Sequence, residues 1–122
     1  MDLNYVLSRI DVDKCDSESN DQFLTILYNL ICSLNYLHSV NIMHRDIKPS
    51  NLLYNPEINK IKIADFGVAR FDESNRTRTG LVLGTPSYMS PEQIEGENVT
   101  GASDLFSLGV TLYQLLTGYL PF

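Results

Sequence analysis

The sequence predicts an α+β domain that is mainly helical and contains one short β-hairpin. Two apolar stripes with helical spacing and two short β-prone runs on either side of a turn carry this prediction. The 122 residues include 43% hydrophobic and 20% charged residues, the composition of a folded globular protein. One compact domain with a single core is therefore expected.

The first helix is predicted over residues 20–38. Apolar residues recur there at intervals of three and four, which places them on one helix face: Phe23, Leu27, Leu30, Leu34 and Leu37. Ser19 and Gln22 have the spacing of a capping box at the helix N-terminus. The segment 11–21 carries five acidic residues and predicts a solvated loop, with a role in attracting basic targets as the second interpretation.

A β-hairpin is predicted next, and a long loop follows it. Residues 52–54 and 61–64 are β-prone, and the sequence Asn-Pro-Glu at 55–57 between them suits a turn. Residues 71–86 are polar and have no regular period, which predicts a loop of functional length.

The second long helix is predicted to begin at Ser103 as its N-cap and to end at Gly118. Its apolar residues cover more than half of its circumference, so the helix is expected to pack on several sides. They are Leu105, Leu108, Val110, Leu112, Leu115 and Leu116.

Charge and cysteine content exclude some classes of function. A formal charge of −6 disfavours binding to nucleic acid, and the N-terminal residues predict neither a signal peptide nor a membrane span. Cys15 and Cys32 lack metal-ligand spacing and are expected to be free thiols. A cytoplasmic or nuclear location without membrane contact is predicted.

Residues 44–51, HRDIKPSN, hold the groups that phosphoryl transfer requires. Such a reaction needs a carboxylate to orient the attacking hydroxyl, a cation for the phosphate and oxygen ligands for magnesium. Asp46 is the candidate carboxylate and Lys48 the candidate cation. Asn51 and Asp65 offer the oxygen atoms that Mg²⁺ prefers.

Four motifs, HRDIKPSN at 44–51, DFG at 65–67, GT at 84–85 and SPE at 90–92, resemble in order and spacing the large lobe of a eukaryotic-type protein kinase. The resemblance covers nearly the whole chain. The first half is similar to MAP and cyclin-dependent kinases, and the second half is similar to NIMA-related, calmodulin-dependent and bacterial-type kinases. It implies a C-lobe core in which the hairpin carries the catalytic loop and DFG.

The resemblance implies roles for the chemical groups. Asp46 matches the catalytic base, and Lys48 matches the residue that contacts the transferred phosphate. Lysine there is the Ser/Thr-kinase form, as is Thr85, which in that form bonds to Asp46 and Lys48. Asn51 and Asp65 match the ligands of the Mg²⁺ that is bound with ATP.

Other positions match residues that shape or regulate the site. Leu53 matches the floor of the adenine pocket, and His44 and Phe66 match a stack that aligns the two lobes. Asp104 matches the aspartate that holds the catalytic loop by accepting backbone hydrogen bonds. Leucine or phenylalanine at 53 and 66 would also suit an ordinary core, and Asp104 an ordinary first helical turn.

Regulation is expected at the activation loop. The resemblance pairs Arg45 with a phosphorylated residue of that loop, for which Thr79 is the first candidate and Thr77 the second. A solvated polar loop without regulation is the alternative.

Residues 1–122 are expected to form a partial kinase domain that runs from the hinge to the central helix. The printed sequence contains neither a glycine-rich loop nor a VAIK-type lysine. The small lobe and the last helices are therefore expected to be absent, and the isolated chain is expected to show no turnover. Glu92 would lack its usual arginine, so it should be exposed or protonated, or its surroundings should loosen.

The leading prediction is an ATP-dependent kinase of Ser/Thr in protein substrates, with inactivity of the fragment itself. A truncated kinase-like module that binds partners without catalysis is the alternative. A small-molecule phosphotransferase is disfavoured by the SPE motif and the long loop. Substrate identity and oligomeric state are left open.

Overall fold

A computed structural model describes residues 17–66, 70–71 and 85–122, with side chains over 21–66 and 85–122. Helices and strands make up a mainly helical α+β fold, as predicted. The elements are α1 Ser17–Ser39, β1 Ile42–Met43, β2 Leu52–Asn55, β3 Lys60–Ile63, β4 Arg70–Phe71, α2 Pro91–Ile94 and α3 Gly101–Thr117. Short 3-10 turns span Pro49–Asn51 and Pro86–Tyr88.

Helix α1 buries one stripe against the hairpin and α3. Ile26, Leu30 and Leu34 form the buried line, whereas Phe23, Leu27 and Leu37 beside it are only partly covered. The capping box predicted at Ser19 is wrong, because the helix already begins at Ser17 and Ser19 lies inside it.

The two strands β2 and β3 form the predicted antiparallel hairpin, with Leu52 opposite Ile63 and Tyr54 opposite Ile61. Leu52 and Tyr54 face the core, and Leu53 faces outward. A second antiparallel pair joins β1 to β4, so Phe71, predicted to be the first residue of the loop, belongs to a strand. Residues 72–84 of that loop lie outside the described part of the chain.

Helix α3 begins one residue after Thr100, whose hydroxyl accepts a hydrogen bond from the backbone N–H of Ala102. The predicted N-cap at Ser103 is therefore wrong, while the predicted end at Gly118 is confirmed by its left-handed φ of 78°. Leu105 and Leu116, predicted to be covered, are exposed. The buried face is largely polar: Ser103, Asp104, Ser107, Leu108, Val110 and Thr111.

One apolar core joins α1, the hairpin and α3. Its buried members are Ile26, Leu30, Leu34, Ile47, Leu52, Tyr54, Ile61 and Leu108. Ile47 belongs to the loop between β1 and β2, so packing of this single side chain fixes the middle of that loop to the core. No helix among the described residues is long and apolar enough to cross a membrane.

Candidate active site

Residues 44–51 form a loop between β1 and the hairpin, hereafter the catalytic loop. Thr111 on α3 donates from its hydroxyl to the carbonyl of Ile47 at 3.5 Å. His44 is buried, its Nε2 donates to the carbonyl of Ala64 at 2.8 Å, and its Nδ1 accepts from the backbone N–H of Asp46 at 3.2 Å. These bonds require the neutral ring with the proton on Nε2.

Asp104, at the start of α3, is 1% exposed and accepts three hydrogen bonds. Its Oδ1 accepts from the backbone N–H of Arg45 at 2.8 Å, and its Oδ2 accepts from the backbone N–H of His44 at 2.9 Å. His38 at the end of α1 donates from Nε2 to Oδ2 at 2.8 Å. A buried carboxylate needs such donors, and here they join α1, α3 and the catalytic loop.

Asp46, Lys48 and Thr85 lie together at the centre of the site. The Thr85 hydroxyl donates to Asp46 Oδ1 at 3.0 Å and accepts from Lys48 Nζ at 2.7 Å. The backbone N–H of Thr85 also donates to Asp46 Oδ1 at 3.2 Å, and Lys48 Nζ lies 3.3 Å from Asp46 Oδ2. A carboxylate and an ammonium group are thereby held by one hydroxyl, although 39 and 37 residues separate them from it in sequence.

Asn51 is positioned to offer an oxygen atom to a metal ion. Its Nδ2 donates to the backbone carbonyl of Asp46 at 2.8 Å and to Asp46 Oδ2 at 3.2 Å. Both of its side-chain bonds to described residues are thus donated by nitrogen, which leaves Oδ1 available. The carbonyl of Asn51 accepts from the N–H of Ala64 at 2.8 Å, so Asp65 follows directly after the residue opposite Asn51.

Asp65 is exposed and has a left-handed φ of 60°, a conformation that non-glycine residues adopt mainly in turns and at functional sites. Within the described ranges, no three His, Cys, Asp or Glu side chains cluster to hold a metal. Two protein oxygens from Asn51 and Asp65, completed by water and phosphate, fit Mg²⁺, which keeps several waters and demands few protein ligands.

Apolar side chains border this polar centre. Leu53, which points away from the core, is 43% exposed, and Phe66 is 44% exposed. The Phe66 ring meets the His44 imidazole edge-on, with the ring centroids 4.9 Å apart. Leu53, two residues after the catalytic loop, and Phe66, against the first residue of that loop, therefore each present open apolar surface.

Glu92 is half-buried on α2 and accepts a hydrogen bond at Oε1 from the Ser103 hydroxyl at 2.6 Å. That bond is the main cause of a lowered pKa for the Glu92 carboxyl, with smaller contributions from its own backbone N–H and from Ser90. The lowered pKa favours the ionised carboxylate and so disfavours protonation, one of the three outcomes expected for Glu92. The neutral Ser103 hydroxyl on α3 donates a hydrogen bond to Glu92, where the sequence analysis expected an arginine as the usual partner.

Two of the predicted regulatory residues, Thr77 and Thr79, lie outside the described residues. Arg45 is described and has a left-handed φ of 69°. Sequence reasoning missed His38, because a histidine in the last turn of an amphipathic helix gives no sign of a partner 66 positions away. Cys32 is free and exposed.

The comparisons with known proteins decide the family. A family model described as protein kinase domain matches residues 2–122. The chain belongs to the protein kinase domain family.

Relatives of this kinase chain are named serine/threonine-protein kinases. It is 39% identical to pkn3 of Myxococcus xanthus, over 99% of this chain and 23% of the relative. It is 43% identical to PknB of Mycobacterium leprae, over 83% of this chain and 16% of the relative. PknB of Mycolicibacterium smegmatis is 44% identical over 81% of this chain and 16% of its own length. The kinase chain thus spans less than a quarter of these relatives.

Proposed function

We propose that this chain supplies the catalytic half of an enzyme that transfers the γ-phosphate of ATP to Ser or Thr hydroxyls of protein substrates. The observation that carries the proposal is the cluster of Asp46, Lys48 and Thr85, in which a carboxylate and an ammonium group lie 3.3 Å apart at the edge of the catalytic loop. Family membership supports the same reaction class.

Each side chain of the cluster has a task in this reaction. The Asp46 carboxylate would accept a hydrogen bond from the substrate hydroxyl, align it for attack on the γ-phosphorus and take its proton, while the bond from that phosphorus to the β,γ-bridging oxygen breaks and ADP leaves. The Lys48 ammonium would contact the transferred phosphate, and Thr85 would hold the side chains of Asp46 and Lys48 in their relative positions. Such positioning is the main source of catalysis in phosphoryl transfer.

Asn51 Oδ1 and the Asp65 carboxylate would hold Mg²⁺, which when bound neutralises charge on the ATP phosphates. Leu53 offers exposed apolar surface beside the catalytic loop and would contact the adenine. The lysine at position 48, together with the names of the relatives, supports Ser/Thr as the accepting residues. The cytoplasmic or nuclear location and the regulatory roles of Arg45, Thr77 and Thr79 stay predictions.

A transfer assay tests this proposal. The full-length protein, supplied with radiolabelled ATP and Mg²⁺, is incubated with matched peptide pools that contain only Ser, only Thr or only Tyr as acceptor. Label in the Ser and Thr pools and none in the Tyr pool is expected. Transfer to no pool, by a protein that binds partner proteins, would instead support the non-catalytic interaction module.

A further inference from the structure

The side chain of Gln93 on α2 is buried and uses both the oxygen and the nitrogen of its amide in hydrogen bonds. Its Oε1 accepts from the backbone N–H of Ser90 at 3.2 Å, which closes a capping box at the start of α2. Its Nε2 donates to the backbone carbonyl of Arg45 at 3.1 Å, across 48 positions of sequence. The first bond serves α2 alone, and the second reaches the catalytic loop.

The carbonyl that Gln93 holds belongs to the peptide unit between Arg45 and Asp46. A peptide unit is planar, so its carbonyl oxygen and its N–H move together. The N–H of this unit, on Asp46, donates to His44 Nδ1 at 3.2 Å. Gln93 and His44 therefore hold opposite edges of the peptide plane from which the Asp46 side chain extends.

The backbone before this peptide is in an uncommon conformation. Arg45 has a φ of 69°, in the left-handed region that residues other than glycine rarely adopt and that surrounding contacts must maintain. Asp104 bonds to the N–H of Arg45, and Gln93 bonds to its carbonyl. Contacts from α3 and from α2 thus act on the residue that precedes Asp46.

We propose that Gln93 is a positioning residue, which orients Asp46 by holding the Arg45 carbonyl and so couples segment 85–93 to the catalytic loop. This inference rests on the proposed kinase function. Thr85 contacts the Asp46 side chain at one end of the segment, and Gln93 holds the backbone behind Asp46 at the other. The segment that would face a protein substrate therefore sets the geometry of Asp46 at two points.

Two substitutions separate this role from helix capping. Gln93→Glu keeps an oxygen that can accept from Ser90, as capping boxes commonly do, but when ionised it has no donor for the Arg45 carbonyl. Gln93→Met has similar size and neither group. Glu95→Gln changes the exposed residue directly after α2 and is the matched control.

In the full-length protein, both Gln93 variants should lower kcat about 10-fold, while KM for ATP and the kcat of Glu95→Gln stay at the wild-type value. Burial raises the pKa of the introduced carboxyl, and its protonated form can donate again. The kcat of Gln93→Glu relative to wild type should thus rise as pH falls from about 8 to about 6, and that of Gln93→Met should not. Exchange of the Asp46 amide hydrogen should be faster in both variants.

Wild-type kcat for Gln93→Glu at the higher pH would assign Gln93 to capping alone and overturn the proposal. So would a reduced kcat that does not respond to pH, or an Asp46 amide that exchanges at the wild-type rate. If the wild-type protein transferred no phosphate at all, the kinase function would fail separately, and the amide exchange rates would still test the contact itself.

Discussion

The two sides of the catalytic loop differ in how completely their functional groups are held. On the acceptor side, Asp46 and Lys48 bond to each other and to Thr85, and Asp104 holds the backbone behind them. On the nucleotide side, Leu53, which matches the floor of the adenine pocket, is 43% exposed. The side chains proposed to act on the hydroxyl are therefore held by several bonds, whereas the side chain proposed to contact adenine is exposed.

This contrast separates two physical requirements of the proposed reaction. Positioning of Asp46 needs rigid contacts, which Lys48, Thr85 and Asp104 provide. Binding of ATP needs burial of the adenine ring. An exposed apolar surface on one side covers only one face of that ring. Substitutions on the acceptor side should therefore change kcat or stability, and those on the nucleotide side should change affinity for ATP.

Asp104→Asn is expected to cause the largest loss of stability among the next substitutions. An amide offers one acceptor oxygen, whereas the Asp104 carboxylate uses two. At least one backbone N–H of His44 or Arg45 loses its partner. The free energy of unfolding of the full-length kinase domain should fall by about 2 to 3 kcal/mol, as measured by urea denaturation. Glu97→Gln, which changes an exposed carboxylate, is the control. Equal stability of the two variants would mean that the Asp104 carboxylate does not stabilise the catalytic loop.

Glycine substitutions in α3 test the packing of the same region. A Cβ at Gly101 would lie 2.6 Å from His38 Nδ1, whereas a Cβ at Gly109 would have no atom within 4 Å. Gly101→Ala should reduce stability by about 1 to 3 kcal/mol, since His38 must move away from Asp104. Gly109→Ala should increase stability by about 0.5 to 1 kcal/mol, because alanine favours helix.

Thermal denaturation of the two variants measures this difference. A loss at Gly109→Ala equal to that at Gly101→Ala would mean that the contact between His38 and α3 does not matter for the fold.

Thr85 tests whether one hydroxyl organises the acceptor side. Thr85→Val keeps the shape and removes the bonds to Asp46 and Lys48, so kcat should fall about 10-fold with KM for ATP unchanged. Thr85→Ser keeps the hydroxyl and should retain most of the wild-type kcat. Steady-state kinetics with a Ser peptide measure both variants, and a wild-type kcat for Thr85→Val would show that the hydroxyl does not organise the acceptor side.

The smallest effect is expected on the nucleotide side. Leu53→Ala removes exposed apolar surface, so KM for ATP should rise about threefold while kcat changes little. Ile58→Ala, another exposed apolar residue of the hairpin region, should leave KM unchanged. A fall in kcat without a change in KM for Leu53→Ala would contradict the division of the site into two sides.

The sequence predicted the parts of the fold that depend on local pattern. The hairpin, the extent of the first long helix to within a few residues and the end of α3 at Gly118 were predicted because strand propensity, apolar periodicity and glycine at a left-handed position are local signals. Motif order brought Asp46, Lys48 and Thr85 into one hypothesis. The structure then placed these three side chains in contact.

The missed features depend on contacts between distant residues. Apolar periodicity assigned Leu105 to the buried face of α3, but this face is polar because it supplies Asp104, Ser107 and Thr111 to the loops beside it. His38 and Gln93 gave no local signal, since their partners lie 66 and 48 positions away. A pattern of hydrophobicity cannot identify polar groups that are buried with their partners.

Asp46 is proposed to orient the attacking hydroxyl, and the kcat of Asp46→Asn in the full-length protein measures that role. The amide keeps the size of the side chain but cannot accept the proton, so kcat should fall by about 10² to 10⁴ with an unchanged melting temperature and an unchanged KM for ATP. A kcat within about twofold of wild type, measured on the same Ser peptide, would mean that Asp46 does not orient the hydroxyl.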